Sequence, residues 1–233
     1  MKIWLGVKAR DSWLIKCHNQ YIRSEYDRKN RKEGYPVLGG LEVRAAVRLI
    51  DALLRTSGGI YEFTDDPECI LRIQLKRASH AVNIRNERIM KGEPVVALHV
   101  WNERMPILPA AGADLEWALR LRRQAIHSFR GLAKVLQSES RYSQVKAVCG
   151  TSALFSFTDH TGGMRMMRHL GFIILPYQRP LGRFGEFWEN LFSWWLMWTY
   201  NNVSLQSREF LPLQRTEIWM TAKKFILRYG ENC

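Results

Sequence analysis

The sequence predicts a mixed α/β fold in which a central sheet is flanked by helices. Patterns typical of strands and helices alternate from Val95 onward, which favours a layered architecture with at least some parallel strand pairs. The clearest helix is predicted over residues 115–136. The apolar run Val95–Trp101 that precedes it is typical of a strand buried on both faces.

The composition is that of a basic globular protein. The chain has 233 residues, of which 46% are hydrophobic and 24% charged, and this favours one large domain. We expect a single domain over residues 1–233, with 1–68 as an N-terminal extension or first lobe, 69–180 as the core and 181–233 as an aromatic-rich C-terminal part. The net charge of +13 predicts attraction to polyanions without choosing between membranes, nucleic acids and acidic proteins.

Cysteine usage and hydropathy predict a cytoplasmic protein. Cys17, Cys69, Cys149 and Cys233 form no CxxC pair, so they are interpreted as reduced thiols, and no metal-ligand set is indicated. The charged N-terminus does not match a secretory signal. The most apolar stretch, residues 187–200, is shorter than the roughly 20 residues that cross a bilayer. Peripheral attachment to an inner membrane stays open.

The first half of the chain predicts loops, one helix and three strands. Loops are expected over residues 1–40, and an amphipathic helix over 41–57 that ends at Gly58-Gly59. Residues 69–76 alternate as a strand does, and its wetter face is predicted to carry Ile70, Arg72, Gln74 and Lys76. Residues 81–89 are expected to pair with this strand or to form a short polar one before a turn at 91–94.

The second half predicts alternating helices and strands. Asp114 is the expected N-cap of the helix over 115–136. Its apolar stripe is predicted to contain Leu115, Leu119, Ile126, Phe129, Ala133 and Leu136. Its opposite, basic face is predicted to contain Glu116, Arg120, Arg123, His127, Arg130 and Lys134. After it come a strand (145–149), a helix (161–169), a strand (172–176), a helix (185–200) and a segment (216–225) that fits either a strand or a helix.

This order of elements resembles the second half of the GNAT acyltransferase superfamily. The likeness begins at Glu93 and includes a short helix that ends in Leu170-Gly171-Phe172. The stretch from Gly92 to Glu103, with Asp114-Leu115 after it, is also similar to the YkoP-like domain of bacterial proteins. The resemblance covers residues 69–180. It implies a GNAT-like mixed central sheet flanked by helices, here followed by a Trp-rich C-terminal helix.

The resemblance also implies an acyl donor, either acyl-CoA or an acylated carrier protein. In GNAT proteins a glycine-rich loop before the long helix cradles the coenzyme A pyrophosphate. Here the loop from Arg104 to Asp114 has one glycine and two prolines, and it ends on a carboxylate. This departure favours a donor carried by a protein. Because carrier proteins are acidic, the basic helix face would dock one through Arg120, Arg123 and Arg130.

Candidate catalytic and substrate-binding residues lie at the end of the strand over residues 95–101. Ligands of open α/β sheets gather beyond the carboxyl ends of strands. His99 and Glu103 are therefore candidate general bases, and Trp101 and Asn102 candidate substrate contacts. The alternatives are that His99 is a core histidine with satisfied hydrogen bonds and that Glu103 pairs with a surface cation. Cys149 is interpreted as a buried structural thiol, because no histidine is placed beside it.

The aromatic C-terminal segment has two interpretations. Trp188 and Trp194 are candidate contacts for an acyl chain or a membrane surface, since tryptophan is common at the membrane–water boundary. The alternative is that these side chains cover the sheet as part of the core.

Three functional hypotheses follow. The first is an acyltransferase of bacterial lipid or envelope metabolism that acts near the membrane surface. The second is a non-catalytic GNAT-like module that binds an anionic membrane or a protein. The third, less favoured because no nucleic-acid-binding motif is found in the sequence, is a nucleic-acid-binding protein.

Overall fold

The computed structural model describes residues 38–109, 111–152, 162–178, 182–200, 205 and 215–230. Of the loops predicted over residues 1–40, residues 1–37 lie outside these ranges, as do Cys17 and Cys233, and residues 38–40 are helical instead. The chain divides into two compact units, residues 1–46 and 47–233. Of the first unit, only the beginning of a helix is described.

Five helices and seven strands make up the described residues. The helices are α1 (Leu38–Ser57), α2 (Leu115–Ser138), α3 (Gly162–His169), α4 (Gly182–Tyr200) and α5 (Ala222–Tyr229). The strands are β1 (Leu71–Arg77), β2 (Val82–Ile84), β3 (Glu87–Ile89), β4 (Pro94–Val100), β5 (Ala147–Ser152), β6 (Ile173–Pro176) and β7 (Thr216–Thr221). Short 3-10 turns occupy Asn102–Arg104 and Ser140–Tyr142.

Five of the strands form one mixed sheet in the order β1-β4-β5-β7-β6. β4 and β5 are parallel, and α2 connects them. The other neighbouring pairs are antiparallel. The predictions of a mixed α/β sheet flanked by helices and of a parallel pair are therefore confirmed. β2 and β3 pair with each other as a separate hairpin, so residues 81–89 neither pair with β1 nor form a single strand, and both predicted alternatives are wrong.

One face of the sheet packs against helices and contains the main core. Leu71 and Ile73 of β1 point into it and both are buried. The predicted alternation fails elsewhere, because Leu75 is exposed while Ile70 and Arg72, assigned to the wetter face, are buried. α2, α3 and α5 cover this face with apolar side chains. Four rings form its centre, with centroids 5.0 to 6.4 Å apart: Phe129, Phe172, Phe225 and Tyr229.

The long helix α2 begins as predicted, but its buried stripe differs. The Asp114 carboxylate accepts a hydrogen bond from the Trp117 amide at 2.7 Å and so caps the helix. The first turns direct Trp117 and then Leu121 toward the core, so the predicted Leu115 and Leu119 are exposed. The buried residues are Leu121, Ala125, Ser128, Phe129, Leu132, Ala133 and Leu136.

The undecided C-terminal segment is a strand followed by a helix. β7 ends at Thr221, whose hydroxyl accepts a hydrogen bond from the Lys224 amide at 3.4 Å and caps α5. β7 lies between β5 and β6, so the last strand in the sequence is inside the sheet. Before β6, Gly171 adopts a φ of +93°, which explains a glycine in the Leu-Gly-Phe segment.

α1 is a helix whose apolar residues are largely exposed. In the part that belongs to the second unit, Val47 and Asp51 are buried. Leu49, Ile50, Leu53 and Leu54 are exposed. No helix in the described parts of the chain combines the length and apolar character needed to span a membrane.

Candidate functional site

A cavity of about 320 Å³ opens on the other face of the sheet. The β2–β3 hairpin covers part of this face with a small apolar cluster that includes Val82, Ile89 and Trp219. The remaining part is polar. The polar side chains that line the cavity include Lys76, His99, Thr151, Tyr177, Ser193 and Glu217.

The strand register places three of these side chains in one row across the sheet. Thr151 of β5 lies directly opposite Glu217 of β7. Leu98 pairs with Gly150 in the parallel β4–β5 ladder, so His99 follows beside Thr151. Because residues in register on neighbouring strands point to the same face of a sheet, His99 and Glu217 lie on one face, with β5 between them.

The two parallel strands separate next to His99. The β4–β5 ladder ends at the pair Leu98 and Gly150, although β4 continues to Val100 and β5 to Ser152. The carboxyl end of each strand lies outside this ladder and pairs only with its other neighbour, β1 for β4 and β7 for β5. Ligands of open α/β sheets bind at such ends.

His99 is a neutral imidazole on the cavity wall. Burial is the main cause that lowers its pKa to about 4, and the nearby positive charge of Lys76 lowers it further. Its Nε2 lies 3.3 Å from the side-chain oxygen of Gln74. The Gln74 amide nitrogen in turn donates a hydrogen bond to the Gly58 carbonyl at 2.5 Å.

Glu217 is a buried carboxylate on the opposite wall. It is 6% exposed, and it accepts hydrogen bonds from the Trp219 indole at 2.8 Å and from the backbone amide of Gln178 at 3.3 Å. The Nε2 atom of His80 lies 3.3 Å from its Oε2. These donors explain how a carboxylate is held in this part of the sheet.

A second polar network borders the cavity near α4. The Tyr177 hydroxyl donates to both carboxylate oxygens of Glu189, at 3.1 and 3.2 Å. Burial, followed by the charge of Glu189, raises the pKa of Tyr177 to about 12, so the phenol stays protonated. Arg215 forms an ion pair with the same carboxylate and donates to the Ser193 hydroxyl at 3.0 Å.

Cys149 lies in the floor of the cavity but is not an activated nucleophile. Its side chain is buried, and burial raises the pKa of the thiol to about 12. The thiolate, which is the reactive form, is therefore disfavoured. Cys69 is likewise a buried free thiol.

Glu103 and Trp101 are held by arginines. The Glu103 carboxylate lies 3.2 Å from Arg72 and 3.7 Å from Arg55. The buried Trp101 ring has the guanidinium of Arg104 at 3.3 Å and that of Arg72 at 4.3 Å from its centroid. Asn102 is half-buried in the 3-10 turn that follows. Only His99 of these four candidate residues lines the cavity.

The remaining predicted site residues lie outside the cavity lining. Arg120, Arg123 and Arg130 are exposed on α2, as the predicted basic face requires. Trp188 is exposed on α4 and makes edge-to-face contacts with Phe184 and Phe187, at centroid distances of 6.2 and 5.5 Å. Trp194 is half-buried on the same helix.

Several residues in the cavity or in contact with His99 were not predicted as site residues. Gln74 was placed on the wetter face of its strand, but its contact with His99 depends on the β1–β4 register. Glu217, Tyr177 and Arg215 come from segments around β6 and β7. The alternation in β7 could have shown that Glu217 and Trp219 share one face.

The fold and the cavity define a class of protein: a mixed α/β domain with an apolar, helix-covered sheet face and a polar cavity on the other face. The model of the YkoP domain matches residues 43–229, and the chain belongs to this family. Neither a curated protein nor a solved structure matches the chain.

Proposed function

We propose that the protein is an acyltransferase in which His99 acts as general base on an acceptor bound in the polar cavity. The observation that carries the proposal is the position of His99. It is a neutral imidazole that lines the cavity where the parallel strands β4 and β5 separate. An acyl transfer needs a group that removes a proton from the attacking nucleophile, and a neutral imidazole within reach can do so.

The contacts of Glu103 favour His99 over Glu103 as the base. The Glu103 carboxylate is held by Arg72 and Arg55, and its side chain does not line the cavity in which the acceptor would bind. We assign Glu103 the role of a counter-charge for the buried Arg72. His99 has no such cationic partner at hydrogen-bond distance, because its Nε2 contacts an amide oxygen.

We propose a thioester on an acidic carrier protein as the donor in preference to acyl-CoA. The Asp114 carboxylate already occupies the first turn of α2, where a phosphate group would have to bind. The separated ends of β4 and β5 would accept the extended acyl-bearing arm. The exposed Arg120, Arg123 and Arg130 would dock the acidic carrier. The order of elements from β4 to β6, which resembles the GNAT superfamily, supports this reading.

A transfer assay with matched donors tests the proposal. The same acyl group is offered on carrier protein and on coenzyme A, with a mixture of amine and alcohol acceptors. We expect transfer from the carrier protein, and a loss of about 10²- to 10⁴-fold in kcat for His99→Ala. Glu103→Gln should keep most of kcat and lower the thermal midpoint. If neither donor stabilises the wild-type protein against heat or is consumed, the proposal is wrong.

A second candidate function is binding to an anionic membrane surface. The observation that favours it is the exposed aromatic group Phe184, Phe187 and Trp188 on α4, together with the net charge of +13. Such binding would place the enzyme at the membrane in lipid or envelope metabolism. Membrane binding would remain the proposed function if no acyl transfer occurs.

Flotation with vesicles separates the two functions. We expect wild-type protein to float with vesicles that contain phosphatidylglycerol, and the Phe184→Ser/Trp188→Ser variant to stay at the bottom. Leu227→Ser removes an exposed apolar side chain elsewhere and should behave like wild type. Equal flotation of all three proteins would contradict a role for the aromatic group.

A further inference from the structure

We infer that Gln74 is a positioning residue that fixes the tautomer of His99, so that Nε2 carries the proton and Nδ1 is the basic nitrogen. The inference about the tautomer is independent of any activity. Its catalytic consequence rests on the proposed function of His99 as a general base.

The orientation of the Gln74 amide follows from its backbone partner. The Gly58 carbonyl can only accept, and it lies 2.5 Å from the Gln74 side-chain nitrogen. The NH2 group of Gln74 therefore points to Gly58, and its oxygen points to His99. A flipped amide would bring two oxygens together at this distance, which is repulsive.

The orientation of Gln74 then decides the protonation of His99. The Gln74 oxygen can only accept, so the imidazole Nε2 at 3.3 Å has to donate. A neutral imidazole carries a single N–H group. The low pKa of His99, about 4, keeps the ring neutral at physiological pH. With the proton on Nε2, the lone pair is on Nδ1.

Nδ1 has the surroundings of an available base. Across the described ranges, no hydrogen bond joins it to another group. The His99 residue lines the cavity. We take Nδ1 as the nitrogen that an acceptor bound in the cavity would approach. The donor–acceptor arrangement Gly58–Gln74–His99 holds the ring in one orientation.

In the proposed reaction, the proton of the nucleophile passes through Nδ1 to the leaving group. The nucleophile of the acceptor attacks the thioester carbonyl while its proton moves to Nδ1. The new bond joins the nucleophile to the acyl carbon, and the carbon–sulfur bond breaks. The imidazolium then returns the Nδ1 proton to the leaving thiolate, which leaves as a thiol. The Nε2 proton stays hydrogen-bonded to Gln74 throughout, and no further reactant is needed.

Nitrogen-15 NMR of the imidazole side chains tests the tautomer directly. The full-length protein is labelled with nitrogen-15, and two-bond proton–nitrogen correlations are recorded at pH 7.5. The His99 signals are assigned by their loss in His99→Gln. We expect the Nε2 signal of His99 to have the shift of a protonated nitrogen and its Nδ1 signal that of an unprotonated one. A protonated Nδ1 in the wild-type protein would overturn the inference.

Variants of Gln74 test whether this residue is the cause. Gln74→Leu removes the acceptor, and we expect the His99 signals to move toward a mixture of tautomers. Gln74→Glu restores an acceptor, so it should restore the single tautomer and also raise the pKa of His99. Gln178→Leu changes a glutamine that lines the cavity but has no hydrogen bond to His99 within the described ranges, and should leave the spectrum unchanged.

The outcomes separate the inference from the proposed function. If Gln74→Leu keeps the wild-type tautomer, Gln74 is not a positioning residue, whatever the activity. If the tautomer behaves as expected but His99→Ala transfers acyl groups at the wild-type rate, the proposed function fails and the assignment of Gln74 stands. If both hold, Gln74→Leu should lower kcat more than it changes KM, and Gln74→Glu should recover part of the loss.

Discussion

The two faces of the sheet come from alternate residues of the same strands, yet they serve different purposes. On the helix-covered face, β4 and β5 contribute Val96, Leu98 and Val148, which are buried in the main core. On the other face the same strands contribute His99 and Thr151 to a polar cavity. The difference shows that this fold places its main core and its candidate site on opposite faces of one sheet. Residues that are adjacent in the sequence contribute to the two.

Removing a large side chain from the helix-covered face should have the largest effect. Phe129 is 2% exposed and its ring contacts those of Phe172, Phe225 and Tyr229. We expect Phe129→Ala to lower the free energy of unfolding by about 3–5 kcal/mol, because the cavity it leaves cannot close completely. Urea denaturation followed by circular dichroism measures the change.

The matched control is on the cavity face. Thr151→Ala removes atoms from an exposed side chain that lines the cavity, so it should change the free energy of unfolding by less than about 0.5 kcal/mol. Comparable losses in the two variants would mean that the cavity face carries as much of the stability as the core face, and the comparison would fail.

The second effect is the pH dependence of stability that His99 creates. Its pKa is about 4 in the folded protein and about 6.5 when unfolded. Above pH 6.5 the imidazole is neutral in both the folded and the unfolded protein, so its titration does not change the free energy of unfolding. As the pH falls from 6.5 to 4, the unfolded state binds a proton that the native state does not. Stability therefore falls with pH over this window, by about 3 kcal/mol in total.

The variant His99→Gln isolates this contribution. The charged groups Lys76 and Glu217 line the same cavity, and Arg72 is the β1 partner of His99 in the strand register. These three groups are present in both proteins. The difference in free energy of unfolding between wild type and variant, measured from pH 8 to pH 4, should change only below pH 6.5. A constant difference over this range would show that His99 titrates normally.

A smaller effect is expected at the start of α2, at the margin of the helix-covered face. Asp114→Ala removes the carboxylate that accepts from the Trp117 amide and should lower the free energy of unfolding by about 1 kcal/mol. Asp114→Asn keeps a hydrogen-bond acceptor and should lose less. Equal losses would indicate that the charge, acting on the helix dipole, matters more than the hydrogen bond.

Local patterns predicted the parts of the fold that local chemistry determines. The Asp114 cap and the glycine after α3 both follow from the conformations that single residues prefer. The buried stripe of α2 was predicted only in part. Its position depends on which helix side the sheet meets, and this is a property of packing between distant segments.

Of the candidate site, only His99 was predicted from the sequence, for a similar reason. His99 follows from its place at the end of a buried strand. Glu217 reaches the same cavity through the insertion of β7 between β5 and β6, and Gln74 reaches His99 through the β1–β4 register. Neither the register nor the strand order is encoded within a short segment, so no local pattern could bring these residues together.

The smallest effect is expected on α1, whose exposed apolar side chains contrast with those of α2. Leu53 is 61% exposed, whereas Leu132 of α2 is 0% exposed. Leu53→Ala should change the free energy of unfolding by less than about 0.5 kcal/mol, and Leu132→Ala should lower it by about 2–5 kcal/mol. Both substitutions remove the same atoms from a helix and replace them with the same strong helix former, so helix propensity cancels in the comparison. Urea denaturation of the two variants, at several protein concentrations, measures the difference. A loss of more than 1 kcal/mol for Leu53→Ala would mean that this face of α1 is covered in solution, and a loss that grows with protein concentration would identify a second copy of the chain as the cover.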